Sequence, residues 1–514
     1  MQPVLALDQG TSGTKALVVC PDRGVLASAY HRVRPRYGPG GAVEVDPADL
    51  LASVLSAGRQ ALAAAGEPVA AVGLANQGET VLAWFLQTGR PVSQAVVWQD
   101  RRSADLCAAL AAADPGLPHR LHQITGLTLD PYFAAPKMAW LRRRVPDGVV
   151  TTSDSWILHA LCGAFVTDAS TASRTQLLDL DSTTWSPAAL AAFGLDGERL
   201  PEVVDSAGPV GITHAFDDAL PPGSARGLRV TGLLVDQQAA LLAQGCLAAG
   251  QAKCTYGTGA FVLATTGPAP VRSSRGLAAS VAWRLAGRPT YCLDGQVLTV
   301  GSAVRWITDL GLVAGSEELD DAALSVPDSG GVQFVPAFAG LAAPRWHPRA
   351  RAQLSGLSLD SGRGHIVRAL CEGIAADVVD LAEAVEADLG SPIDVLRVDG
   401  GLTRSTALMQ AQADLLQRPV ECSPLADATA LGVAAAAMMG LDSTLTPADA
   451  VRPGPPSALY RPRIGPAEAA DRLGRHRLAV TAVLTQADAR TPGNDATTAK
   501  TDETDETDKT QETG

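Results

Sequence analysis

Residues 4–7 form a short apolar run that ends in Asp8, turns through Gln9-Gly10-Thr11-Ser12-Gly13-Thr14 and resumes as a second apolar run over residues 16–20. Two short runs joined by a Gly-bearing turn predict a β-hairpin, and a third run at 25–30 extends it into a meander. Residues 47–65 are rich in Ala and Leu, with Asp46 placed to cap a helix and Gly66 to stop it. Residues 69–74 then return to strand. Three antiparallel strands, a helix and another strand require a mixed α/β domain rather than a simple alternating βαβ sheet.

The same device recurs half a chain later. Lys253-Cys254-Thr255 leads into the turn Tyr256-Gly257-Thr258-Gly259, and an apolar run follows at 260–264. The repetition predicts two related domains facing each other, although Gly-Thr turns also join unrelated hairpins. Residues 228–235 read as a strand, 237–245 as a helix, and the boundary falls near 247–250. Beyond it, 364–389 reads as the longest helix, 395–398 as a strand reaching Asp399-Gly400-Gly401, and 406–416 as a helix. Order is expected to decline after Pro453. The Thr/Asp/Glu-rich segment from about Thr491 carries a net −5 and too few apolar residues to fold. The organisation is therefore 1–247, 248–488 and an acidic, disordered tail at 489–514.

Length and charge narrow the function. With 514 residues and 46% hydrophobic content, each domain can bury a full core. A formal charge of −13 repels phosphate backbones and anionic lipid, which argues against nucleic-acid and membrane partners. The eight cysteines show no Cys-x-x-Cys pair and read as small buried residues in a reducing compartment. Without a leader-like start or a long apolar run, a cytoplasmic, soluble protein is expected.

Gly-rich turns aim backbone N–H groups at one anion, and Thr and Ser hydroxyls add donors. Both turns are of this kind, but no Gly-x-x-x-x-Gly-Lys-[Ser/Thr] is present and the first turn leads into a strand. A Walker-type loop and a dinucleotide fingerprint are thereby excluded. Lys15 supplies a point charge or faces outward. Asp8, Asp236 and Asp399 stand at predicted strand ends, where α/β sheets collect ligands and where ordinary strands also stop.

In combination these segments resemble the FGGY family of carbohydrate kinases, and within it the glycerol kinases most closely. The resemblance is carried by Leu7-Asp8-Gln9-Gly10-Thr11-Ser12, Asn76-Gln77-Gly78-Glu79-Thr80, Val97-Trp98-Gln99-Asp100-Arg101-Arg102, Leu129-Asp130-Pro131-Tyr132-Phe133, Val235-Asp236-Gln237-Gln238-Ala239-Ala240, Thr255-Tyr256-Gly257-Thr258-Gly259 and Asp399-Gly400-Gly401, with longer matches at 133–141 and 400–420. They run in family order from about residue 3 to residue 440.

The resemblance implies an actin-like fold: two ribonuclease-H-like domains closing on ATP and Mg²⁺ in an interdomain cleft. It makes Asp236 the base that takes the substrate hydroxyl's proton and Asp8 the residue that orients the metal through water. Thr11, Ser12, Lys15 and Thr258 would hold phosphate oxygens, and Gly301, Arg305, Gly401 and Ser405 would line the nucleotide site. Gly78, Glu79, Trp98, Tyr132, Asp236, Gln237 and Phe261 match the polyol pocket. The activity implied is phosphorylation of a small polyol's terminal hydroxyl, glycerol to glycerol 3-phosphate first, in a homodimer or homotetramer.

Three departures stand out. Gly78 replaces an Arg that donates to substrate hydroxyls, leaving volume for a four- or five-carbon polyol or ketose (erythritol, threitol, xylulose, ribulose) unless a water or Arg345 restores the contact. Residues 221–227 do not reproduce the loop that binds a bisphosphate inhibitor, and Arg305 and Ser405 replace Gln and Asn at the nucleotide end. A catalytically silent ATP-binding sensor would have lost its catalytic acid, whereas Asp8 and Asp236 both stand in place.

Overall fold

The computed structural model describes residues 2–489. The opening runs form the hairpin Val4–Gly10 and Gly13–Cys20, with Gly24–Arg32 as the third strand. The helix Pro47–Ala65 begins where the Asp46 carboxylate accepts from Ala48 N–H at 2.9 Å, and it ends at Gly66, whose φ of 62° favours glycine. The strand expected at 69–74 starts two residues later, as Ala71–Asn76.

Two sheets organise the chain. The first has six strands, with Val4–Gly10 pairing in parallel with Ala71–Asn76, which pairs in parallel with Leu228–Val235; Ala207–Thr213 closes that edge antiparallel. The second centres on the hairpin Ala252–Tyr256 and Ala260–Gly267. Ala252–Tyr256 pairs in parallel with Leu396–Asp399, which pairs in parallel with Val420–Cys422; Ala458–Tyr460 closes antiparallel. On the other side, Arg288–Val297 and then Ala278–Leu285 extend the sheet. Six strands of each sheet thus repeat one order of pairings: antiparallel, antiparallel, parallel, parallel, antiparallel. The recurring Gly/Thr turn marks a duplicated unit, the two related domains expected from the repeat and the pair that the family resemblance implies.

The helix Ala428–Leu441 lies in sequence between the second sheet's strands Val420–Cys422 and Ala458–Tyr460, yet it packs on the first sheet. Its Ala run allows close approach: a Cβ on Gly232 would stand 2.4 Å from Ala437 N, and Thr231 Oγ1 donates to Ala437 O at 2.9 Å.

Order does not decline after Pro453. Ala458–Tyr460 completes the second sheet, and Pro466–Ala489 is a 24-residue helix. Its buried residues Ala469, Leu473, His476, Val480, Val483 and Ala487 recur at helical spacing, but Arg and Asp between them dilute the apolar signal. His476 meets the buried Asp377 at 2.9 Å, which anchors this helix on Arg363–Leu389. The disordered tail expected at 489–514 lies, but for Ala489, outside the described residues. Among the described residues no helix is long and apolar enough to cross a membrane.

Candidate active site

Parallel pairing brings strand ends to one edge. Gln9 lies opposite Asn76, and Asn76 opposite Val235, so Asp8, the segment Gln77-Gly78-Glu79 and Asp236 emerge together. In the second sheet Thr255 lies opposite Asp399.

Asp8 and Asp236 repel each other across this edge. Burial, then the Asp236 and Asp427 carboxylates, push the Asp8 carboxyl up to about 8 against the pull of Lys15. Burial and then Glu79 raise Asp236 to about 7, although its Oδ1 accepts from the Gln237 N–H at 2.7 Å. Two acids held above their usual range by burial and by neighbouring carboxylates are a ready site for positive charge. Lys15 faces inward rather than outward, 3.4 Å from Asp427. Asp427, at the start of Ala428–Leu441, is a site residue that the sequence reading missed.

Each Gly/Thr turn is pinned by its neighbours. Trp98 Nε1 donates to Thr11 Oγ1 at 2.8 Å, which fills a lone pair and leaves the Thr11 O–H as a donor. Ser12 is exposed beside it, and its carbonyl accepts from Tyr30 Oη. In the second turn the Thr258 carbonyl accepts from Val300 N–H at 2.8 Å, which seats the helix Gly301–Asp309 against it. Gly301 approaches Gly257 so closely that a Cβ would meet its carbonyl at 2.6 Å. Gly401 opens onto free space, Arg305 is exposed, and Ser405 is buried. Ser405 Oγ binds Asp320 at 2.5 Å and caps Thr406–Leu416, so its hydroxyl holds a helix end.

An aromatic wall lies next to the carboxylates. The Trp98 ring meets Tyr132 at 5.8 Å and Phe261, from the second sheet, at 6.2 Å, both edge-on. Buried Lys137 donates to the carbonyls of Pro131, Tyr132 and Phe133 and so fixes the Tyr132 turn; burial pulls its pKa down to about 8.

Glu79 and Gln237 are oriented by cations. Arg174 Nε donates to Glu79 Oε1 at 2.6 Å and its Nη1 to Asp294 Oδ1 at 2.5 Å, tying the first lobe to the second. Burial opposes the guanidinium's charge, but Asp294 and Glu79 outweigh it. Lys253 Nζ donates to Gln237 Oε1 at 2.6 Å, so the Gln237 amide nitrogen remains to donate, while Glu79 Oε2 remains to accept. Both cations escaped the sequence reading as site residues. The available signal was a lone charge inside an uncharged stretch: Arg174 is the only charged residue between Asp168 and Asp179.

At Gly78 an added Cβ would stand 2.9 Å from Val235 Cγ2. One expectation is corrected. Arg345 is committed to Asp380 on the long helix Arg363–Leu389 rather than free to replace an arginine at position 78.

Hard oxygen donors such as Asp8 and Asp236 fit Mg²⁺, which takes one or two carboxylates and completes its shell with water and phosphate oxygens. Among the described residues no group of three or more His, Cys, Asp or Glu forms a metal site of its own.

Comparison with known proteins agrees with this geometry. The N-terminal domain of the FGGY family of carbohydrate kinases matches residues 3–243 and its C-terminal domain residues 252–441. A glycerol kinase of Alkalilimnicola ehrlichii is 43% identical over 498 residues, 93% of this chain and 98% of that protein. One from Thermus brockianus is 43% identical over 86% of this chain and 90% of its own length. Among solved structures, Plasmodium falciparum glycerol kinase with ADP superposes with a TM-score of 0.86 at 29% identity, covering 94% of this chain and 98% of that one. A xylulose kinase from Rhodospirillum rubrum gives 0.81 at 27% identity over 95% and 100%. With the duplicated sheets, the paired turns and the strand-end carboxylates in place, the chain belongs to the FGGY family of carbohydrate kinases and is an ATP-dependent sugar or polyol kinase.

Proposed function

We propose that this kinase phosphorylates a terminal hydroxyl of a small polyol, converting glycerol to glycerol 3-phosphate. The observation that carries the reading is the complementary set around Asp236: Glu79 left to accept, Gln237 left to donate, and Trp98, Tyr132 and Phe261 as a wall for the carbon face. Asp236 takes the hydroxyl proton as the new O–P bond forms and ADP departs. Thr11, Ser12, Lys15 and Thr258 hold phosphate oxygens, and Gly301, Arg305, Gly401 and Ser405 form the nucleotide side. Mg²⁺, when bound through Asp8, neutralises charge on the transferring phosphoryl group. Catalysis then rests on alignment and charge neutralisation rather than on a strong base.

In this reading residues 1–247 hold the polyol and catalytic acid, residues 248–488 hold the nucleotide, and the cytoplasmic protein works as a homodimer or homotetramer. The 43% identity to glycerol kinases over most of the chain favours glycerol over a four- or five-carbon substrate. A coupled assay of ADP release with glycerol, erythritol, threitol, xylulose and ribulose tests the reading. Glycerol is expected to give the highest kcat/KM; a higher value for a ketose would overturn the assignment, and turnover with none of them would overturn the activity class.

A further inference from the structure

Gln296 carries an unexplained pair of polar atoms. It lies on Arg288–Val297, is 1% exposed, and neither its amide nitrogen nor its amide oxygen has a hydrogen-bond partner. A buried amide left so costs more than it contributes unless something fills its bonds.

Its position says what could do so. Gln296 lies directly opposite Phe261 in the antiparallel pairing, and opposite residues project to the same face of a sheet. That face is the aromatic wall of the polyol pocket. Gln296 also lines a cavity of about 10 Å³ with Tyr132, Arg101, Asp130 and Trp346, room for about one water or one hydroxyl group. A second cavity of about 20 Å³, also lined by Gln296, reaches Asp377, whose Oδ2 is also without a partner.

Resting on the polyol-kinase reading, we propose that Gln296 is a specificity-determining residue whose amide hydrogen-bonds a substrate hydroxyl beside Tyr132. The ligand class is a polyol carrying a hydroxyl at that wall. Both amide groups can serve one hydroxyl, the nitrogen donating to its oxygen and the carbonyl accepting its proton.

Gln296→Met keeps length and shape but removes both polar atoms. The polyol KM is expected to rise about tenfold, the KM for ATP to stay within twofold, and the melting temperature of the free enzyme to hold or rise, because an unsatisfied amide has been replaced by an apolar chain. Gln296→Glu, which keeps one acceptor, should recover part of the polyol KM. A purely structural amide, bridged through water to Asp377, gives the reverse: an unchanged polyol KM with a lowered melting temperature, and that result overturns the proposal. If Gln296→Met does not fold, Gln296→Asn, which shortens the reach and keeps the amide, decides by the same KM criterion. Wild-type enzyme that phosphorylates no polyol refutes the underlying reading and this proposal with it; active wild type with unaltered variants refutes Gln296 alone.

Discussion

Removing Arg174 tests whether the two lobes are joined through charge. Its side chain is buried between Glu79 and Asp294, at 2.6 and 2.5 Å, and its guanidinium also lies over the Tyr132 and Phe133 rings at 5.7 and 5.3 Å. Arg174→Met retains most of the volume and strands two buried carboxylates. Deleting one partner of a buried ion pair costs about 3–5 kcal/mol. At roughly 2–4 °C per kcal/mol for lobes of this size, the melting temperature should fall by about 6–20 °C. The sign of the pH dependence follows from the same groups. Burial already raises both carboxyls, Arg174 being the main opposing influence, so in the variant both rise further. An acid whose folded pKa exceeds its unfolded value binds more protons in the native state, and stability then falls as pH rises between the two values. Calorimetry of both proteins at about pH 5.5 and pH 8 should show the deficit widening toward the higher pH. Adding Glu79→Gln and Asp294→Asn should recover much of the stability without recovering polyol turnover. A deficit below about 1 kcal/mol, the scale of an exposed pair, or one indifferent to pH, would refute the reasoning.

Other outcomes follow from the same geometry. Because Asp236 sits at about 7, kcat/KM for the polyol should rise with pH as the base deprotonates and level off above that value, and Asp236→Asn should lose at least ~10²–10⁴ in rate while still binding ATP, measured by turnover and calorimetric titration. Gly400→Ala should destabilise the second lobe by about 1–3 kcal/mol or more, seen in denaturant melts, since φ is 98° and the added Cβ would meet Tyr256 O at 2.3 Å. Gly78→Ala should lower kcat for all polyols alike, because Val235, next to Asp236, must move; Val235→Ala in the same chain should restore it.

The sequence by itself determined the local elements and their order. Alternation, turn chemistry and caps act over a few residues, so the hairpin at Gly13, the helix capped by Asp46 and the strand ending before Asp236 could be read directly. The family motifs added the candidate residues, and the repeated Gly/Thr turn announced a duplication that the matching strand orders establish. Tertiary structure alone decided the rest. Arg174 lies 95 residues from Glu79 and 120 from Asp294, and no local pattern encodes such a meeting. The helix Pro466–Ala489 was hidden because its buried stripe is interrupted by charges that solvent accommodates. Gly78 illustrates the limit most directly: the sequence shows that a side chain is missing, whereas only packing shows which neighbour borders the position, here Val235 at 2.9 Å from an added Cβ.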